Sequence, residues 1–131
     1  LSDINWLDIL GWEEQDLQDL RFVGYCYIKQ GHFETALKFF EALNILSPNS
    51  PYDKQTLGAI YLEMGDYLKA LTYIDMALLL DPKHEETLLN RAKALFLLGY
   101  TAQGRTLASQ LTFAKNTTVK NKAEALILAY K

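Results

Sequence analysis

Apolar residues recur along this chain at helical spacing. In the last stretch Ala123, Leu126, Ile127 and Tyr130 fall at i, i+3, i+4 and i+7, one face of an α-helix. Period-two alternation, the mark of a strand, is missing throughout. The pattern predicts helices over about 16–30, 34–46, 52–64, 67–80, 84–98, 101–115 and 118–130. Turn chemistry separates them: Ser47-Pro48-Asn49-Ser50-Pro51 and Asp81-Pro82-Lys83 are breaks, because proline cannot continue a helical hydrogen-bond ladder. Before the first of these helices, Trp6, Leu7, Ile9 and Leu10 predict a short additional one, capped by Ser2 and ended by Gly11.

The helices come in pairs with a fixed step. Gly24, Gly58 and Ala92 are 34 residues apart, as are Gly31, Gly65 and Gly99, and so are Pro48 and Pro82. Other slots keep the register: Tyr27, Tyr61 and Leu95; Phe33, Tyr67 and Thr101; Ala36, Ala70 and Gly104; Phe40, Ile74 and Ala108. Each slot has a physical reason. The small residues let two helices approach closely. The glycine of the second series ends a helix in a left-handed conformation that a Cβ disfavours. The bulky slots fill the space between helices. The third window departs from the pattern at Arg91, Thr101 and Asn116, where apolar residues or proline are expected. Slot 4 reads Leu20, Lys54 and Leu88.

A 34-residue helix–turn–helix period with these slots resembles the tetratricopeptide repeat. The resemblance covers residues 17–118, in windows 17–50, 51–84 and 85–118. It implies an all-α fold: three tetratricopeptide repeats in a right-handed superhelix, with an N-terminal helical segment (1–16) and a C-terminal capping helix (118–131). The whole of 1–131 reads as a single domain, long enough for a continuous core.

Composition narrows the function. The net charge is −3, a poor match to nucleic acid, whose phosphates favour a basic face. Across residues 1–20 there are six acids (Asp3, Asp8, Glu13, Glu14, Asp16, Asp19) and no Lys or Arg. No apolar run approaches the roughly 18 residues of a membrane helix, and no signal peptide is evident. Cys26 is the single cysteine, so no internal disulfide can form, in keeping with a reducing cytoplasm. The expectation is a cytoplasmic protein without membrane insertion and without nucleic acid.

Candidate chemistry is sparse. His32 lies in a turn and His84 at a helix start, neither with metal-ligand spacing, so no metal is expected. Cys26, inside the repeat interface, reads as a buried structural thiol with no basic cluster to activate it. The acid pairs Glu13-Glu14 and Glu85-Glu86 stand at helix starts, where the helix dipole favours negative charge. No phosphate-binding glycine loop occurs. We expect no enzyme activity and no cofactor.

The resemblance instead directs attention to a groove. In tetratricopeptide proteins the first helix of each repeat lines a concave face through positions 2, 5, 9 and 12. Here those are Gln18, Arg21, Tyr25 and Ile28; Tyr52, Gln55, Ala59 and Leu62; and Glu86, Leu89, Lys93 and Phe96. The expected anchors are Tyr25, Ile28, Tyr52, Leu62, Leu89 and Phe96. Arg21, Gln55 and Lys93 would supply hydrogen bonds or charge. The N-terminal segment or a neighbouring subunit filling the groove is a competing use of the same surface. Likewise, the acidic, aromatic N-terminus reads either as a cap burying Trp6 and Trp12 or as an assembly contact.

The plan of N-terminal helix, three repeats and final helix in a short acidic chain resembles the bacterial type III secretion chaperones of this fold. So do the stretch Gly24–Ala36, Phe39–Leu43 with Asn44-Ile45-Leu46, and Tyr52-Asp53. That resemblance implies a non-enzymatic chaperone holding a translocator or needle subunit before export, alone, as a homodimer, or as a heteromer with a second small chaperone. The alternative is a general repeat adaptor. An adaptor for acidic C-terminal tails is disfavoured, because Tyr25, Thr56 and Glu86 stand where the carboxylate clamp of such adaptors resembles a set of asparagine and lysine.

Overall fold

The computed structural model describes residues 4–131. These residues form eight α-helices: α1 (Trp6–Leu10), α2 (Glu14–Lys29), α3 (Phe33–Leu46), α4 (Pro51–Glu63), α5 (Tyr67–Leu80), α6 (Glu85–Leu97), α7 (Thr101–Leu111) and α8 (Thr117–Ala129). No strand occurs among the described residues. The expected cap Ser2 lies outside them. Instead the Asn5 side chain accepts hydrogen bonds from the Leu7 and Asp8 amides, and Gly11 closes α1 in the left-handed region.

Helices α2/α3, α4/α5 and α6/α7 pack as antiparallel pairs, and each pair stacks on the next. The turn inside each pair is one motif repeated. Gly31, Gly65 and Gly99 all have positive φ. The Gly amide donates to the third carbonyl back (Ile28, Leu62, Phe96) and the following amide to the fifth (Tyr27, Tyr61, Leu95). This two-bond closure satisfies the last carbonyls of the first helix and sets the hairpin angle three times over.

Close approach within each pair depends on slot complementarity. A Cβ on Gly24 would stand 2.7 Å from the Phe40 ring, and one on Gly58 would stand 2.7 Å from Ile74 Cγ1. In the third pair Ala92 carries that Cβ, and its partner slot has shrunk to Ala108. The room left over is filled from the other direction. Phe96 packs its ring against Gly104, where a Cβ would approach to 3.1 Å, and stacks on Tyr130 at 4.5 Å between centroids.

Helix α8 packs against α7 and α6 as α6 packs against α5 and α4. Val119 and Ala123 are buried at the places that Asp53 and Leu57 hold in α4. This capping helix thus sits where the first helix of another repeat would pack. Its start follows that of α6 by 32 residues rather than 34, because α7 stops at Leu111 instead of the expected 115. Asn116, in the proline slot, caps it by accepting from the Val119 amide at 3.1 Å. The Glu85 carboxylate holds the connection by accepting from the Lys115 and Asn116 amides at 2.8 and 3.0 Å. These two backbone hydrogen bonds keep Glu85 below the usual carboxylate range. Arg91, misfit in an apolar slot, donates from Nε to Asp75 of α5 at 2.8 Å.

The N-terminal segment departs from the capping expectation. Leu7 packs on the first core cluster. The two tryptophans are not buried: Trp6 is 41% and Trp12 37% exposed. Cys26, expected to be buried, is half-buried. Among the described residues no helix pair precedes α2 to cover it, as α3 covers Ile60 and α5 covers Ala94 at the same slot.

Candidate functional site: the open half of the groove

The first helices of the pairs bring Arg21, Tyr25, Ile28, Tyr52, Gln55, Ala59 and Leu62 to neighbouring positions on α2 and α4, and they split into two places. Arg21, Tyr25 and Tyr52 line an open cleft of about 750 Å³ with Glu14, Gln18, Phe22, Ser47 and Ser50. Ile28, Ala59 and Leu62 line a smaller pocket of about 210 Å³ with Phe33, Ile60, Glu63 and Asn90. The second pocket exists because slot 9 is small there. That slot reads Tyr25, Ala59 and Lys93 along the chain.

Arg21 does not point a free charge at the cleft. Its Nε and Nη2 donate to the two carboxylate oxygens of Asp53 at 2.8 and 2.9 Å, and Nη1 donates to Glu14 at 3.3 Å. Asp53 is 0% exposed, so the pair is an internal bridge between the first two repeats. The Asp53 contact raises the Arg21 pKa against the opposing effect of burial. Beside it, Lys54 Nζ donates to Asn44 Oδ1 at 2.8 Å and to the Pro48 carbonyl. Burial lowers the Lys54 pKa, and the Asp53 charge partly counters this. The ammonium thereby ties down the end of α3. Gln55 reaches Asp81 at 3.5 Å. Thr56 bonds back to the Tyr52 carbonyl.

The third repeat does not join this surface. Leu89 and Phe96, expected as anchors, are 6% and 3% exposed. Leu89 sits in a cluster with Leu111, Val119 and Ala123. Phe96 lies under Tyr130, whose carbonyl accepts from Arg105 at 2.8 Å. Both are core residues closed over by α8, and of the third set only the charged Glu86 and Lys93 stay accessible. The accessible groove is therefore its N-terminal half, built by α2 and α4.

Sequence reasoning missed the Arg21–Asp53 bridge, Lys54 and the Phe96–Gly104–Tyr130 stack. Signals for two of them were present. Lys54 is a charge in a slot that is leucine in both other repeats, and Gly104 is a glycine in a slot that is otherwise alanine. Among the described residues no cluster of His, Cys, Asp and Glu could hold a metal ion. His84 caps α6 by accepting from the Thr87 amide at 3.3 Å.

Paired helices, glycine-closed turns and a groove built by first helices define a tetratricopeptide-repeat protein. The family model described as "Anaphase-promoting complex, cyclosome, subunit 3" matches residues 29–111. The chain belongs to this family. Anaphase-promoting complex subunit 3 of Schizosaccharomyces pombe is 34% identical over 76 residues, 58% of this chain and 11% of that protein. This chain therefore aligns with about a tenth of the length of that curated relative.

Solved structures share the fold across nearly the whole chain. The translocator chaperone SycD of Yersinia enterocolitica superposes with a TM-score of 0.80 at 23% identity, covering 94% of this chain and 96% of its own. PcrH from Pseudomonas aeruginosa gives 0.78 at 24%, covering 90% and 93%. The first repeat domain of Spaghetti, bound to an HSP90 peptide, gives 0.77 at 18%, covering 89% and 94%.

Proposed function

We propose that this protein is a non-enzymatic chaperone that holds an extended segment of a client protein in the N-terminal half of its groove, in the manner of the type III secretion translocator chaperones. The observation that carries this reading is the pairing of an apolar pocket for one aliphatic side chain, at Ile28, Ala59 and Leu62, with a wider aromatic and polar cleft at Tyr25 and Tyr52. An extended peptide can anchor in the first and take its register from the second. The likeness covers 94% of this chain for SycD and 90% for PcrH, and PcrH has been solved with the chaperone-binding region of PopD. The client class is then a translocator or needle subunit and the compartment the cytoplasm.

A second reading is a repeat scaffold within a larger assembly. The 34% identity to a subunit of a multiprotein complex favours it. The deciding experiment is affinity capture from the source cells with masses read for stoichiometric partners. Groove binding is tested by Ala59→Glu and by Tyr25→Asp with Tyr52→Asp. These positions are accessible, whereas polar substitution of Leu62 or Phe96 would disturb the core. A secreted hydrophobic client captured by the wild type and lost with both sets at unchanged helicity supports the chaperone. Capture of assembly subunits unaffected by either set supports the scaffold.

A further inference from the structure

The wider cleft of the groove already holds a carboxylate, and it is the protein's own. Glu14 Oε1 accepts from Arg21 Nη1 at 3.3 Å and from Gln18 Nε2 at 3.1 Å. Both bonds fall on one oxygen. Both are longer than the 2.8 and 2.9 Å bonds that join Arg21 to Asp53. The Glu14 side chain is 71% exposed against 11% for Arg21. So exposed a partner holds weakly, because water and salt screen the pair. Glu14 is thus a loose occupant of a site whose guanidinium is fixed by Asp53.

The charges around Arg21 favour an anion in that place. Lys54, next to Asp53 in sequence, is buried with its ammonium on Asn44 and the Pro48 carbonyl. Arg21 and Lys54 against Asp53 leave one positive charge in excess. Among the residues lining the cleft only Glu14 is acidic, so it alone balances that charge there. Lys29 stands one turn further along α2, 5.8 Å from the Tyr25 ring centroid, and adds to the positive side. Ser47, Ser50 and Tyr52 line the cleft and bring hydroxyls that can donate.

We propose that the cleft takes an acidic side chain of the client, Asp or Glu, which displaces Glu14 from Arg21 and Gln18. This rests on the proposed binding of a client in the groove, and it adds the chemistry of a second anchor. A chain terminus is not the source of the carboxylate, since Tyr25, Thr56 and Glu86 stand in the slots of a clamp for chain ends. Arg21 and Ile28 are seven positions apart, about 10 Å along α2. An extended client covers that distance in about three residues. The acid therefore lies about three positions from the aliphatic residue that enters the Ala59 pocket. Glu14 competes for the same donors, so it weakens capture of an acidic client.

NMR titration of the intact chain with two capped peptides of about ten residues tests this. Each peptide carries one leucine, and they differ only in having glutamate or glutamine three positions from it. Glu14→Gln removes the resident charge and leaves Arg21 on Asp53. On that variant the glutamate peptide should bind about tenfold tighter than the glutamine peptide, and the Arg21 and Gln18 side-chain signals should shift. On the wild type the preference should be about threefold smaller, because Glu14 competes. Ala59→Glu should weaken both peptides. Equal affinities on Glu14→Gln, with Ala59→Glu still weakening both peptides, overturn the acidic subsite and leave the groove reading standing. A preference identical in wild type and Glu14→Gln overturns the displacement of Glu14. Binding that Ala59→Glu does not weaken overturns the groove reading, and absence of binding by either peptide overturns both.

Discussion

At the scale of single residues, the fold rests on size matching that is visible only when slots are read in pairs. Gly58→Ala brings a Cβ to 2.7 Å from Ile74 Cγ1 and 3.3 Å from the Ile74 amide nitrogen. Overpacking of this kind should cost about 1–3 kcal/mol in urea unfolding. Adding Ile74→Ala reproduces the Ala92–Ala108 pairing of the third repeat, so the double variant should lose less than the sum of the singles. The Arg21–Asp53 bridge makes a second prediction. Arg21→Ala strands a carboxylate that is 0% exposed, and the expected loss is about 3–5 kcal/mol by chemical denaturation. An Arg21 variant that fails to bind a client would then report unfolding, not a lost contact. This is also where sequence reading stopped. The groove slots of Arg21 and Phe96 follow from the 34-residue period. That Asp53 claims one and Gly104 with Tyr130 the other depends on distances that no period encodes.

At the scale of elements, the helix order, the three glycine-closed turns and the identity of α8 as a capping helix were all legible, because period and turn chemistry act locally. The shortened α7 was not. Its end is set by Glu85, thirty residues away in sequence from Lys115, which draws the Lys115 and Asn116 amides into the α8 cap. The two backbone contacts lower the Glu85 pKa. The stabilisation they give is present above the unfolded carboxylate value near pH ~4.3 and is lost as pH falls through the lower folded value. Glu85→Gln should therefore reduce the Tm at neutral pH, and its deficit against the wild type should shrink as the solution is acidified. Equal deficits at pH 7 and at pH 3 would show that the carboxylate charge is not what holds α8. Tyr130→Ala removes the stack on Phe96 at 4.5 Å, worth about 0.5–1.5 kcal/mol beyond its area. Amide exchange should then quicken in α8 while α2–α4 keep their protection.

At the scale of the whole molecule, the stack is uneven along its length. Its C-terminal half is sealed by α8, and its N-terminal half holds the accessible groove. The Arg21–Asp53 bridge and Lys54 stiffen the half that stays open, so recognition would occur on a preorganised surface. Substitution at Ala59 should change binding without changing stability, since that side chain lines a pocket and not the core. Ala59→Leu is expected to fill the pocket and weaken capture of an aliphatic anchor at least tenfold, with an unchanged urea midpoint, as read by calorimetric titration of the captured client segment.

The sealing of the third repeat by Phe96, Gly104 and Tyr130 limits the length of chain that the proposed groove could hold. Two neighbouring first helices, with axes about 8–10 Å apart, present a face roughly 20 Å wide. An extended chain crosses that width in about six residues. On the proposed chaperone role, a footprint so short would leave most of a client outside the groove, open to a second binder while still held. Release would then need only that a competing receiver bind the overhanging segment and outlast a brief dissociation, so handover would require no energy source.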